Sequence, residues 1–171
     1  PVHDQAIADM ARAEFPALYV TASAEVVPTM REYERWTTAC INAYTQPMFD
    51  RYLGRLEDGL MGLGFNGKLF IMTSSGGVLA PNVARRFPIR MLESGPAAGV
   101  IGTQALCDAL GMKNAIAFDM GGTTAKAGVI HEGEALTTGS ALIGGPGEVP
   151  DDVLLAGVFC CAASADLASQ R

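Results

Sequence analysis

The sequence predicts an α/β fold in which a mixed β-sheet is flanked by helices. Short β-prone segments alternate with helical patterns along the chain, and two of these segments end in glycine-rich turns. The chain has 171 residues, of which 49% are apolar and only 18% are charged. This length and composition favour a globular domain with a sizeable core over a disordered segment.

The first third of the chain is predicted to contain an extended segment and a long helix. Residues 15–27 are β-prone, which indicates extended structure. Apolar side chains then recur at spacings of three and four over 33–44 and 49–63. This periodicity predicts a helix with a buried apolar stripe that includes Trp36. Pro47 separates the two runs and should kink or divide the helix.

The middle of the chain is predicted to contain, in order, a strand at 68–73, a short helix at 82–87, a strand at 89–93 and a helix at 96–110. Pro96 suits the first turn of the last helix, with Ser94 as its expected cap and Gly111 as its expected end. The first turns of this helix are built from small residues, including Gly99 and Gly102. Small side chains on one face allow another backbone to approach closely.

Three more strands are predicted at 114–118, 125–131 and 134–138, with a turn between the last two. The alanine-rich stretch 153–168 is compatible with a helix, but the sequence assigns it no role.

Composition excludes several classes of function. The formal net charge is −6 and no run of Lys or Arg occurs, which argues against nucleic-acid binding. No apolar stretch is long enough to span a membrane, and the first ten residues lack the apolar centre of a signal peptide. Four cysteines occur without a C-x-x-C pair. Free thiols, and therefore a cytoplasmic protein, are the expectation.

The segment that carries chemical information is Asp119-Met120-Gly121-Gly122-Thr123-Thr124, placed between two predicted strands. A carboxylate at a strand end can accept hydrogen bonds from the water shell of Mg²⁺. The two glycines leave backbone N–H groups free to face phosphate oxygens, and the two threonines add hydroxyl donors. The alternative is a tight hairpin turn that happens to follow an aspartate, since short motifs occur by chance.

A helix of small residues followed by a strand and D-x-G-G-T resembles the actin, sugar-kinase and heat-shock-chaperone superfamily of ATPases, with its ribonuclease H-like fold. The segments FPALYVTASAEVVP, REYERWTTACINAYTQP, IMTSSGGV, ESGPAAGVIG and FDMGGTTAK, in this order, resemble the hydantoinase A, 5-oxoprolinase and acetone/acetophenone carboxylase family. This resemblance spans about residues 2–145. It implies an incomplete chain, because the family's upstream phosphate loop and downstream glycine-rich motif are missing.

The resemblance also implies a division into parts. Residues 1–112 would be the C-terminal part of the first ATPase lobe, including the interlobe helix 96–110. Residues 113–147 would begin the second lobe with its phosphate-loop hairpin, and 148–171 would be a divergent tail.

By the same resemblance, the parent protein is expected to be an ATP- and Mg²⁺-dependent hydrolase of a cyclic amide such as hydantoin, N-methylhydantoin or 5-oxoproline. An acetone/acetophenone carboxylase-type subunit and a non-enzymatic nucleotide-binding module remain alternatives. A hydantoinase B-type subunit or domain is the expected partner. The isolated chain is expected to be inactive, because half of a cleft does not close around a nucleotide.

The resemblance implies roles for individual residues. Asp119 would be catalytic and would orient Mg²⁺ or its water, while Gly121, Gly122, Thr123 and Thr124 would hold the β- and γ-phosphates. Many family members have Thr-Asp where this chain has Ala125-Lys126, which leaves the substrate open.

Three further positions have two interpretations each. Lys126 would neutralise phosphate charge or be a solvated strand residue. Glu93 would be an outer carboxylate of the metal site, although a helix-cap or surface role is favoured. The loop Ser74-Ser75-Gly76-Gly77 would face the interlobe cleft or be an ordinary connection. His3 and His131 are expected at the surface.

Overall fold

The structure is a computed structural model that describes residues 2–28, 30, 32–122, 125–137, 140–142 and 154–156, the last two ranges for their backbone only. The helices are α1 Val2–Glu14, α2 Ser23–Val26, α3 Glu32–Gly62, α4 Pro81–Arg86 and α5 Ser94–Leu110. The strands are β1 Ile71–Met72, β2 Val78–Leu79, β3 Ala115–Met120, β4 Ala125–His131, β5 Glu134–Ala135, β6 Ser140–Leu142 and β7 Leu154–Ala156. The chain forms two compact units, one containing α1 to α4 and the other α5 with β3 to β5.

In the first unit, α2 occupies a segment for which the sequence predicts extended structure. That prediction is wrong for 23–26, where the chain is helical. The reason is a contact with α1: Asp4 Oδ2 accepts hydrogen bonds from Ser23 Oγ at 2.9 Å and from the Ala24 backbone N–H at 3.1 Å. A carboxylate at the start of a helix satisfies its free N–H groups, so a tertiary contact overrides the local β preference.

The long helix α3 was correctly predicted from its periodicity, but its buried face was not. Trp36 is 58% exposed, whereas Leu53 is completely buried and Asn42 is 1% exposed. The buried side of the N-terminal half consists of small or polar side chains, which allow α2 and α4 to approach closely. The helix also continues through Pro47, although this residue lacks a backbone N–H donor, so the helix is not divided there.

Asn42 joins α3 to the C-terminal end of α4. Its Nδ2 donates to the Arg86 carbonyl at 3.1 Å, and its Oδ1 accepts from the Ile89 backbone N–H at 3.3 Å. Both backbone groups therefore obtain a partner inside the core, where an unpaired polar group would be costly.

Glu25 is the centre of an ion-pair cluster in the same unit. Its carboxylate oxygens lie 2.7 Å from Arg12 Nη2 and 2.7 Å from Arg86 Nη2. Burial raises the pKa of Glu25, but hydrogen bonds from Arg12, Gln5 and Arg86 outweigh this effect and lower the pKa to about 2. The cluster connects α1, α2 and α4.

The predicted strand at 89–93 is wrong. The chain forms a 3-10 helix, Pro88–Met91, and then turns at Glu93, whose φ of 64° lies in the left-handed region. Ser74, which is buried, determines this path: its backbone N–H donates to the Arg90 carbonyl at 2.7 Å, and its Oγ contacts the carbonyls of Arg90 and Leu92. The carbonyls of Arg90 and Leu92 thus face Ser74 rather than forming the ladder of a strand.

In the second unit, β3, β4 and β5 form an antiparallel sheet in chain order. The sequence predicts these three strands, and it also predicts the turn at Glu132 and Gly133, where both residues have positive φ. Helix α5 ends at Gly111 with a φ of 67°, as expected, and packs on one face of the sheet. The opposite face of β3 is not buried, since Ile116, Phe118 and Met120 are exposed.

Strand β7 lies within the stretch 153–168, whose sequence is compatible with a helix. The three residues of β7 are extended instead. The remainder of that stretch lies outside the described residues.

Candidate functional site

The glycine-rich segment forms the tip of a β-hairpin, as the sequence predicts. Strands β3 and β4 pair antiparallel, with Asp119 opposite Lys126 and Met120 opposite Ala125. Gly121 and Gly122, the first two residues of the connecting loop, are exposed. Thr123 and Thr124, the expected hydroxyl donors, lie outside the described residues. The hairpin therefore carries an aspartate and a lysine at facing positions next to its tip.

A pocket lies between this hairpin and the first turns of α5. Pro96, Gly99, Val100 and Thr103 of the helix form one wall, and the hairpin contributes Ala117, Phe118, Asp119, Lys126 and Gly128. Its volume is about 100 Å³. Pockets that enclose a whole small-molecule ligand measure about 300–1,000 Å³, so this one suits a phosphate group with a few waters rather than a complete nucleotide.

Lys126 is held by an ion pair that crosses from the hairpin to the start of α5. Its Nζ contacts Glu93 Oε2, and its side chain is only 27% exposed. In the structure Lys126 is thus ion-paired rather than free. Glu93 occupies the N-cap position of α5, but its side chain makes no cap hydrogen bond. Ser94, the expected cap, is the first residue of the helix instead.

Asp119 is exposed, and within the described part of the chain its carboxylate has no hydrogen-bond or ion-pair partner. No group of three or more His, Cys, Asp or Glu side chains that could hold a metal ion occurs among the described residues. A lone carboxylate does not suit Ca²⁺ or Zn²⁺, which need several protein ligands. It does suit Mg²⁺, which keeps most of its waters and binds phosphate oxygens.

The sequence predicts that another backbone approaches the glycines of α5 closely, but none of the described residues does so. A methyl group added at Gly99 or Gly102 would meet no described atom within 4 Å. The close contact lies on the strand instead, where a methyl group at Gly128 would come within 2.2 Å of Val100 Cγ2. Gly128 is thus the residue that allows α5 and β4 to pack, while Gly99 leaves open space beside the pocket.

The loop of residues 74–77 is a tight turn with a φ of 81° at Gly76. Its backbone closes through a hydrogen bond from the Thr73 N–H to the Gly77 carbonyl at 2.8 Å. Ser74 is fully committed to its contacts with the 3-10 helix segment, whereas Ser75 is exposed and contacts Thr73 Oγ1 at 2.9 Å. This structural role of Ser74 is not visible in the sequence, because its partner lies 16 residues away.

His3 and His131 are exposed, as expected, and His131 Nδ1 lies 3.0 Å from Asn114 Oδ1. Among the described cysteines, Cys40 and Cys107 are free thiols. The described part of the chain contains no helix that is both long enough and apolar enough to cross a membrane.

These features define a partial α/β domain with a glycine-tipped hairpin. The hydantoinase/oxoprolinase family model matches residues 35–154. The chain belongs to the hydantoinase/oxoprolinase family. An uncharacterised protein of Methanocaldococcus jannaschii is 39% identical over 85% of this chain and 21% of its own length. The caprolactamase subunit alpha of Pseudomonas jessenii is 34% identical over 72% of this chain and 18% of its own length.

The fold comparison agrees with the sequence comparison. The crystal structure of the ATP-dependent caprolactamase from Pseudomonas jessenii matches with a TM-score of 0.68 and 32% identity, over 75% of this chain and 19% of that one. The predicted class, an incomplete α/β fold of this ATPase type, is therefore confirmed. The described sheet pairs of β3 to β5 are antiparallel. The chain spans about a fifth of the length of these relatives.

Proposed function

We propose that this chain provides one phosphate-binding side of an ATP-dependent enzyme that hydrolyses a cyclic amide. The supporting observation is that Asp119 and Lys126 occupy facing positions of the strand register at the glycine-rich end of a hairpin, beside a pocket of phosphate size. Family membership adds weight, because a relative with the same fold is an ATP-dependent caprolactamase. Each side chain alone would be unremarkable; together they provide an acceptor for a hydrated metal and a cation for a phosphate.

The proposed roles follow from the chemistry of each group. Asp119 would accept hydrogen bonds from the water shell of Mg²⁺, since its carboxylate has no described partner. Lys126 would neutralise phosphate charge, and Gly121 and Gly122 would present backbone N–H groups. Thr123 and Thr124 would add hydroxyl donors to the same phosphates. Helix 96–110 would connect the first lobe, to which residues 1–112 belong, to the second lobe, which begins with residues 113–147; residues 148–171 would be the tail.

The choice of a cyclic amide has a chemical reason. An amide carbonyl is a weak electrophile with a poor leaving group. ATP, when bound, would supply a phosphoryl group to the amide oxygen, which makes the carbonyl carbon more susceptible to attack by water. This chain would position the phosphates of ATP and neutralise their charge. Positioning and charge neutralisation are the contributions that dominate enzymatic phosphoryl transfer. Completion of the cleft would require the remainder of the enzyme and a hydantoinase B-type partner in the cytoplasm.

A carboxylase function is the second candidate. The gamma subunit of acetophenone carboxylase from Aromatoleum aromaticum is 30% identical over 77% of this chain. Both reactions would use the same phosphate site, so the distinction lies in the carbonyl compound that is activated. Bicarbonate-dependent phosphate release with a ketone would favour the carboxylase.

The first test is Asp119→Ala in the intact protein that carries this chain. We expect the affinity for Mg·ATP, measured by calorimetry, to fall about tenfold or more, because removal of a partner of the metal site typically has this effect. Asp58→Ala is the matched control, since Asp58 is an exposed carboxylate of α3 in the other unit. Unchanged Mg·ATP affinity in Asp119→Ala would refute the assignment.

The substrate is tested separately by phosphate release. ATP hydrolysis by the intact enzyme with its partner subunit should rise on addition of hydantoin, 5-oxoproline or caprolactam. Stimulation only by a ketone with bicarbonate would select the carboxylase. ATP binding without stimulation by any of these compounds would indicate a nucleotide-binding module that is not an enzyme.

A further inference from the structure

Two carboxylates of the described residues lie near Lys126, and its ammonium group contacts one of them. Asp119 lies directly opposite Lys126 in the hairpin register, where facing side chains are about 5 Å apart at Cβ. The ammonium group nevertheless contacts Glu93 Oε2 at the start of α5. Asp119 consequently remains without a described partner. The position of the ammonium decides whether the carboxylate of Asp119 is available to a cation.

Glu93 is held in place by its backbone rather than by packing of its side chain. Its φ of 64° is uncommon for a residue with a side chain, and such a conformation persists only where the surroundings enforce it. Its carbonyl accepts the first backbone hydrogen bond of α5, from the Ala97 N–H at 3.2 Å. On its other side, the carbonyl of Leu92 contacts the buried Oγ of Ser74.

These contacts form a continuous path of three steps. Ser74 fixes the turn before α5, the turn aims Glu93 at the hairpin, and Glu93 draws Lys126 towards the start of the helix. We propose that Glu93 is a positioning residue that keeps the ammonium of Lys126 away from Asp119, and that Ser74 holds Glu93 in place. Asp119 is thereby kept free for Mg²⁺, while Lys126 stays beside the phosphate pocket. This inference rests on the proposed function.

A purely structural ion pair that only attaches α5 to the hairpin is the competing explanation. The positioning role and the structural role predict different effects on Mg²⁺ binding when the charge of Glu93 is removed. A positioning role predicts that Lys126 turns to Asp119 and competes with Mg²⁺ there. A structural role predicts a lower stability and the same dependence on Mg²⁺.

The experiment is a titration of Mg²⁺ at fixed ATP, followed by calorimetry, for Glu93→Gln in the intact protein. We expect the Mg²⁺ concentration at half-maximal ATP binding to rise about tenfold, as for other changes next to a metal site. In a Lys126→Met background the same substitution should leave this concentration unchanged, because no ammonium is left to compete. Glu134→Gln, an exposed glutamate of β5, controls for loss of charge.

Ser74→Ala and Ser75→Ala provide an independent pair. Ser74→Ala should raise the Mg²⁺ requirement in the same direction as Glu93→Gln, whereas Ser75→Ala should not, because only Ser74 contacts the carbonyls before Glu93. An unchanged Mg²⁺ requirement in Glu93→Gln, with Asp119→Ala still weakening Mg·ATP, would overturn the positioning role alone. If Asp119→Ala also leaves Mg·ATP affinity unchanged, the proposed function and this inference are both overturned.

Discussion

Gly128 is a position where the structure predicts a large effect of a single methyl group. An ideal Cβ at Gly128 lies 2.2 Å from Val100 Cγ2, 3.1 Å from Val100 Cγ1 and 3.2 Å from Val100 Cβ. Carbon atoms in contact are ordinarily about 3.5–4.0 Å apart, so the overlap with Cγ2 exceeds about 1 Å. Rotation of the valine does not remove the conflict, because its χ1 is stiff and its own Cβ is already close.

The overlap is therefore expected to displace α5 from β4. Val100 is buried at 3% exposure, and its side chain packs against β4. Gly128→Ala should lower the free energy of unfolding by about 1–3 kcal/mol, the usual cost of overpacking a core. Since the same helix and strand line the pocket, Mg·ATP affinity should fall as well.

Urea unfolding of wild type and variants measures this effect. Gly102→Ala on α5 is the matched control: a methyl group there meets no described atom within 4 Å, so a helix-favouring gain of about 0.5–1 kcal/mol is expected. Val100→Ala should partly rescue Gly128→Ala by vacating the space. If Gly128→Ala is as stable as wild type and shows no coupling to Val100→Ala, the close packing of α5 on β4 is refuted.

Two further predictions concern the first unit. The pKa of Glu25, lowered from 4.5 to about 2, corresponds to at most about 3 kcal/mol of stability. Because the folded-state pKa is depressed, this contribution is complete above pH 4.5 and is lost as the pH falls towards 2. The difference in urea stability between wild type and Glu25→Gln should shrink over that range; a constant difference would contradict it. Asn42→Leu should cost about 2–4 kcal/mol, because the Ile89 N–H and the Arg86 carbonyl both lose a buried partner. Thermal unfolding checks this, and an unchanged melting temperature would refute it.

The helix α3 illustrates which part of the fold was predictable. Its apolar residues recur at helical spacing, so its existence follows from the local pattern. The face that it buries does not, since Trp36 is exposed and Asn42 is buried. A helix selects its buried face by what packs against it, and here the partners α2 and α4 approach along the small side chains.

The candidate site shows the same division. Asp119, Gly121 and Gly122 were predicted as a hairpin tip, and the pairing of β3 with β4 confirms that geometry. The sequence does not show that Lys126 and Glu93 are partners, because 33 residues separate the two side chains along the chain. Their contact depends on the turn before α5, which Ser74 holds from a distant segment.

The sequence by itself determined the family, the fold class and the glycine-tipped hairpin, because these rest on motifs and on periodicities between near neighbours. Tertiary structure alone decided the helical path of 23–26, the turn at Glu93 and the partner of Lys126. Each of these depends on hydrogen bonds between residues far apart in the chain, where no local propensity specifies which donor meets which acceptor.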